Sequence, residues 1–443
     1  MQKQKSLADF AEKRYRLAGG SYLTQHNPFF VPIDKARQEA AAHGQRFVSF
    51  ANYDYLGLSD HPAVKASAAD ALDMTGVGAL ASRLVGGERA RHKDLEKALA
   101  DYVGTEAVMT LVSGYLTNVT VIQHITGSRD VIFLDELSHN SIISGCKASP
   151  AEVIFFRHND LDHLDTLLTE RRGKYKSALI VAESLFSMDG DIVDLPRLVE
   201  LKKQHGTWLL LDEAHSIGVL GEEGRGLCEY TGVDPNDVDI IIGTLSKTFA
   251  SCGGFVCAKA AVINWFKHTL PGFVYSVGLS PVISAAALAA VELAQAETWR
   301  LRRLVHNSEL FVELAREAGL DTGPAIGRGV VPIIFKGDSF ATLAASQFLL
   351  QRGFYVPPII QVGVPRDQPR LRFFMSASHS ESDIRGVIAA LAEFQALQAQ
   401  SLGTEAELNT MSGDLLGDTR MQSAILAKDA MMQDGSDLVG AAS

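Results

Sequence analysis

Between about residues 105 and 260 the chain alternates short apolar runs with segments of helical, amphipathic pattern. The apolar runs are Ala107–Leu111, Val131–Leu134, Val153–Phe156, Ala178–Ala182, Trp208–Leu211 and Asp239–Ile242, with segments such as Leu195–His205 between them. Runs this short and this uniformly apolar read as strands buried on both faces, and helix-length links permit parallel pairing. The pattern therefore predicts an α/β fold: a mostly parallel central sheet covered by helices. Such sheets bind ligands at the carboxyl ends of their strands. Ser113-Gly114-Tyr115, Asp212 and Thr244–Lys247 all fall at predicted strand ends, so they are expected to converge on one crevice.

The remainder of the chain is organised around that block. A long apolar helix is predicted near residues 281–297, followed by a smaller α+β region that ends in an amphipathic helix around Glu381–Leu397. The domains expected are an N-terminal segment over 1–60, a large domain over 61–298, a small C-terminal domain over 299–398 and a disordered acidic tail over 399–443. From residue 401 the tail carries seven acidic and two basic side chains with little periodicity beyond a marginal helix near Met421–Met432. The formal charge of −11 argues against non-specific nucleic-acid binding and attraction to anionic membranes. No apolar run reaches transmembrane length and the first residues lack a signal-peptide pattern, so a soluble, cytoplasmic protein is expected. The four cysteines show neither C-x-x-C pairing nor metal-ligand spacing, which fits thiols in a reducing compartment. No metal is expected.

Lys247 lies in a run of small and apolar residues, Ile241-Ile-Gly-Thr-Leu-Ser-Lys-Thr-Phe249. Burial there disfavours the ammonium and frees an amine able to attack an aldehyde, although a lysine at a strand end is more often simply solvated. Asp212 and His215, 35 and 32 positions upstream, shift that balance. A carboxylate at the tip of a buried strand needs a cationic partner, and the pyridinium nitrogen of pyridoxal 5′-phosphate (PLP) is one. His215 could then reach the phenolic oxygen of the same ring. An ordinary polar strand end or a metal-binding Asp/His pair are the competing readings, the latter weakened by the lack of further ligands nearby. Ser113-Gly114-Tyr115, between a predicted strand and a predicted helix start near Thr117, suits phosphate binding by backbone N–H groups, with Thr244 as a hydroxyl donor.

Taken in order, Asn52–Leu58, Ser113–Tyr115, Ser138-His139-Asn-Ser141, Glu183–Asp191, Asp212–Ser216, Thr244–Thr248, Arg370-Leu-Arg372 and Ser376–His379 resemble the α-oxoamine synthases over about residues 45–398. That resemblance implies a fold-type I PLP-dependent transferase with a smaller α+β C-terminal domain. It implies that Lys247 holds PLP as a Schiff base and later takes a proton from the amino-acid Cα. Asp212 would pair with the pyridinium nitrogen, His215 and Ser184 would bond the phenolic oxygen, and His139 would stack on the ring. Ser113, Gly114, Tyr115 and Thr244 would hold the phosphate, with Ser276 reaching it from a second subunit of a homodimer with shared active sites. Arg370, with Arg372 as the close second candidate, would clamp the amino-acid carboxylate, and Tyr53 would line the substrate site. The implied reaction is decarboxylative condensation of a serine-, glycine- or alanine-class amino acid with an acyl thioester of coenzyme A or acyl-carrier protein, giving a 2-amino ketone.

Departures from the family pattern bear on the substrate. Val277 stands where a hydroxyl or amide is common, Val356-Pro357-Pro358 lacks an arginine before its Pro pair, and Glu88-Arg89 replaces smaller residues. Tyr53 and the segment Asn27–Asp34 lean toward serine palmitoyltransferase, with 8-amino-7-oxononanoate synthase or 2-amino-3-ketobutyrate ligase activity as the alternative. Another fold-type I aminotransferase or lyase reaction is a further alternative. Intact Lys247, Asp212 and His215 argue against a non-enzymatic scaffold subunit.

Overall fold

The structure is a computed structural model that describes residues 6–17, 39–42, 45–360, 364–365 and 367–403. The expected tail, apart from its first few residues, and the Asn27–Asp34 segment lie outside the described residues. One compact unit, Asp34–Ala390, holds every strand and every site residue discussed below. The helix Leu7–Leu17 and the end of the helix Glu381–Gly403 belong to a second unit.

Thirteen strands are described. β1 (Glu39–Ala42) and β2 (Gln45–Ser49) form an antiparallel pair. β3 (Ala107–Leu111), β4 (Val131–Asp135), β5 (Glu152–Phe156), β6 (Ala178–Glu183), β7 (Trp208–Asp212), β8 (Ile240–Thr244) and β9 (Gly254–Ala258) make one seven-stranded sheet in the order β3-β9-β8-β7-β6-β4-β5. β10 (Val330–Ile334), β12 (Pro358–Ile359) and β13 (Arg370–Phe374) form a small antiparallel sheet, and β11 (Phe354–Tyr355) runs parallel to β2.

The six predicted strands of the large sheet are present within one or two residues of their expected ends. Every residue of β4, β6 and β8 is buried, as strands covered by helices on both faces must be. β5 ends the sheet and exposes Glu152 and Phe155. β9 was not among the predicted strands. It runs antiparallel to both β3 and β8, and so closes the gap between the first strand and the rest. Its Gly254-Phe-Val-Cys-Ala258 run has no helical link behind it, only the turn that follows Lys247. Leu111, Ile122, Leu134, Val181, Leu210 and Ile242 are among the side chains that fill the space between the sheet and its helices. Phe50 packs against Phe311, Phe354, Phe373 and His379, tying the residues after β2 to the small sheet. Among the described residues, no helix is long and apolar enough to cross a membrane.

Candidate active site

Asp212 ends β7, and Glu183 pairs with it in register at the end of β6. The Asp212 carboxylate is held rather than left bare: Asn118 Nδ2 donates to one oxygen at 2.7 Å and the Ala214 N–H donates to the other at 2.9 Å. Asn118 also donates to Ser141 Oγ at 3.0 Å, so the helix Gly114–Ile125 and the helix Asn140–Ala148 are joined at the site. Asn118 carried no signal in the sequence, since nothing local distinguishes it from any polar residue in a helix.

Lys247 follows β8. Its ammonium lies 5.7 Å from the centre of the Tyr53 ring and has no hydrogen-bond or ion-pair partner among the described residues. Burial lowers its pKa to about 8; Asp212 and Glu183 oppose that shift and Arg372 adds to it. The Glu183 carboxyl is pushed up to about 8 by burial and by Asp212, while it accepts a hydrogen bond from the His139 N–H at 2.5 Å. His139 caps the helix Asn140–Ala148, its Nδ1 lying 2.7 Å from Ser141 Oγ. Partial burial of the ring, with Lys247 and Arg372 nearby, lowers its pKa against the pull of Asp212. His215 is buried, and its Nδ1 lies 2.7 Å from the hydroxyl of Tyr55.

At the end of β3, Ser113 caps the helix Gly114–Ile125 through the Leu116 N–H. The N–H groups of Gly114 and Tyr115 have no acceptor among the described residues, as befits the open first turn of a helix. A Cβ at Gly114 would come within 3.0 Å of Thr244 Oγ1, so the glycine lets the helix start and Thr244 close on one small volume. Thr244 Oγ1 also meets Ser246 Oγ at 2.8 Å and donates to the Gly253 carbonyl at 3.0 Å. Free N–H groups and converging hydroxyls at a helix N-terminus suit a phosphate. Ser276 is not part of this group. It lies between Tyr275 and Val277, which are exposed by 87% and 52%, and makes no hydrogen bond to the residues above among the described residues.

The two arginines of β13 separate clearly. Arg370 is fully buried and spent: it donates to Asp189 Oδ1 at 2.6 Å, the Met188 carbonyl at 3.0 Å and the Gln368 carbonyl at 3.1 Å. Arg372 donates from one nitrogen to the Ser187 carbonyl at 2.9 Å and to Met188 Sδ at 3.2 Å, and its guanidinium lies over Phe374. Its Nε is buried with no hydrogen-bond partner. Burial lowers the Arg372 pKa, with the Tyr53 and Tyr55 phenols opposing. Ser184 is likewise occupied, donating to the Asp212 carbonyl at 2.9 Å and meeting Ser216 Oγ at 2.5 Å. Ser187, three residues on and buried beside Arg372, keeps a hydroxyl without a partner among the described residues.

The donor set is one that PLP fits. It combines an isolated low-pKa amine, a braced carboxylate at a strand tip, a histidine ring capping a nearby helix, and a helix start with free N–H groups. The residues that could hold the cofactor are Lys247, Asp212, His215, His139, Gly114, Tyr115 and Thr244.

Known proteins bear on this geometry. The family model described as "Aminotransferase class I and II" matches residues 45–391. A protein of Geobacter sulfurreducens named 8-amino-7-oxononanoate synthase is 40% identical over 353 residues, 79% of this chain and 89% of that one. The Sphingomonas wittichii serine palmitoyltransferase structure superposes with a TM-score of 0.84 at 29% identity, covering 89% of this chain and 99% of the other. A high-resolution structure of that type of enzyme (SPT) with PLP superposes with a TM-score of 0.83 at 27% identity, with the same coverage.

Proposed function

This chain belongs to the class I and II aminotransferase family and within it to the α-oxoamine synthases, fold-type I PLP-dependent acyltransferases, and on that premise we propose how its own residues divide the reaction. It joins an α-amino acid to an acyl thioester with loss of CO₂ and release of the thiol, giving a 2-amino ketone. The observation that carries this reading is the pairing of an unpartnered Lys247 amine, lowered to about 8, with an incompletely satisfied Arg372 near enough to depress it. One removes a proton and the other holds the carboxylate beside it.

PLP, when bound, supplies a ring that accepts the charge left as a proton leaves the amino-acid Cα. Asp212, braced by Asn118, balances the positive ring nitrogen with a carboxylate that cannot swing away. Lys247 Nζ takes the Cα proton, and its lowered pKa keeps a useful fraction neutral near pH 8. Arg372, not Arg370, binds the substrate carboxylate, because Arg370 already spends its donors on Asp189, Met188 and Gln368. Ser187 rather than Ser184 offers the free hydroxyl on this side of the site. His139 would cover the ring face, and the N–H groups of Gly114 and Tyr115 would take the phosphate, with Thr244 Oγ1 beside them once it turns from the Gly253 carbonyl.

An 8-amino-7-oxononanoate-type product is the reading best supported by relatives at 40% identity over most of both chains. That skeleton corresponds to alanine joined to a seven-carbon ω-carboxyacyl thioester. A serine palmitoyltransferase-like reaction is the second reading, supported by Tyr53, a 38%-exposed residue whose ring stands beside Lys247, and by the superposed structures. Mass spectrometry of products from alanine, serine and glycine against short, ω-carboxylated and long acyl thioesters, on coenzyme A and on acyl-carrier protein, separates the two. Absence of any 2-amino ketone, CO₂ or free thiol from every pair would overturn the activity itself.

The protein works as a homodimer in this reading. Val77, Leu80 and Val85 are exposed by 75%, 89% and 75% beside Tyr275 and Val277. The two segments are tied together, Gly278 N–H donating to the Ala81 carbonyl and Ser280 Oγ to the Val77 carbonyl. So large an apolar surface on one face fits burial against a second copy. Ser276, within that surface, then has its phosphate role toward the second copy's site.

A further inference from the structure

We infer that Tyr55 is a positioning residue that locks His215 into a single tautomer, so that the imidazole presents Nε2–H as a fixed hydrogen-bond donor to the ring oxygen of the cofactor and cannot serve as a base. The inference rests on the PLP reading above and concerns a residue that reading leaves unused.

The geometry carries it. The Tyr55 hydroxyl is 2.7 Å from His215 Nδ1 and has no other hydrogen-bond partner among the described residues. Two arrangements are open to such a pair. If Nδ1 carried the proton, it would donate to the phenol oxygen, and the phenol's own O–H would be buried with no acceptor. That costs about 1–3 kcal/mol. If the phenol donates to Nδ1, both atoms are satisfied and the imidazole proton sits on Nε2, which makes no hydrogen bond among the described residues but is not sealed from the open site, so its N–H is not stranded.

The phenol is also fixed in place. Tyr55 is fully buried, its carbonyl accepts from the Ala377 N–H at 2.7 Å, and its ring lies over Gly329. Gly329 has φ +67°, and a Cβ there would come within 3.1 Å of the ring. The ring therefore has a seat that a side chain would remove.

Protonation agrees with the geometry. The titratable groups facing the pair are Lys247 after β8, Arg372 on β13, His139 on its helix cap and Tyr53 on the same loop. Burial and the cationic neighbours lower the His215 pKa, so the imidazole is neutral. Burial raises the Tyr55 pKa, Arg372 opposing, so the phenol keeps its proton. A neutral imidazole whose Nδ1 accepts from the phenol can donate only from Nε2.

The test has two independent arms. The first is 15N NMR of histidine-labelled protein without added cofactor, comparing wild type with Tyr55→Phe, with His215→Gln to assign the signal. The expected result is an Nε2-protonated His215 in wild type and a shift toward the Nδ1-protonated form in Tyr55→Phe; an Nδ1-protonated wild type overturns the inference. The second is a pH titration of the visible absorption of the PLP-loaded protein. A donor at the ring oxygen favours its anionic form, so losing it in Tyr55→Phe moves the spectral midpoint up by about one pH unit. A variant that is merely less stable, with an unchanged midpoint, also overturns it. Failure to take up PLP at all would sink the cofactor reading instead, and the NMR arm still decides the tautomer.

Discussion

Arg370 and Arg372 stand on the same face of β13, since residues two apart on a strand share a face, yet their surroundings give them opposite tasks. Arg370 meets Asp189 and two carbonyls and holds the small sheet to the turn after β6. Replacing Arg370 with Ala strands the Asp189 carboxylate and is expected to cost about 3 kcal/mol in urea unfolding. Arg372→Ala is expected instead to raise the amino-acid KM on the order of 100-fold with little change in unfolding, the weight of charge-assisted hydrogen bonds to a carboxylate. If the two variants traded effects, the assignment would be reversed. Lys247 yields a pH prediction with a definite sign. Its folded pKa lies near 8, so the neutral amine grows as pH rises through that value. The rate at which the unloaded protein forms a borohydride-trappable chromophore with PLP should climb from pH 6 and level off above about pH 8. Lys247→Ala should form none and still fold.

At the scale of elements, the turn between β6 and the helix Leu195–His205 is held from outside the site. His158 donates through Nδ1 to Asp135 at the end of β4 and through Nε2 to Asp191 in the turn, both at 3.0 Å. Burial alone would lower its pKa, but the two carboxylates outweigh it and raise it to about 10. A histidine with a raised folded pKa contributes stability that is fully present below about pH 6.5 and is lost as pH climbs through about 10. His158→Gln is therefore expected to cost on the order of 2 kcal/mol at pH 6, allowing for its partial exposure. The cost should shrink toward pH 10 when urea midpoints are compared. Element existence was legible in the sequence here: β4, β6, β7 and β8 are uniformly apolar runs, and Leu195–His205 has the helical pattern and ends that the structure shows. β9 was not legible, because its five-residue run follows β8 through the glycine-rich turn after Lys247, with no helix between the two strands.

For the whole molecule, the exposed apolar surface around Leu80, Val85 and Tyr275 connects fold to assembly. Leu80→Glu with Val85→Glu should weaken self-association by at least tenfold in sedimentation equilibrium and reduce turnover in parallel. A fully active, monodisperse monomer would contradict the shared-site reading. What the sequence determined by itself was the sheet and the chemical types at its strand ends, a lysine, an aspartate and a histidine. Both depend on local pattern, and strand ends converge wherever neighbouring strands run parallel. It did not determine which arginine is free, that Ser184 is occupied while Ser187 is not, that Asn118 braces Asp212, or that Tyr55 governs His215. Each of those turns on a hydrogen-bond partner brought from a distant segment: Asp189 to Arg370, Asn118 to Asp212, Tyr55 to His215. A side chain's availability is a property of its neighbours, and only the tertiary structure supplies them.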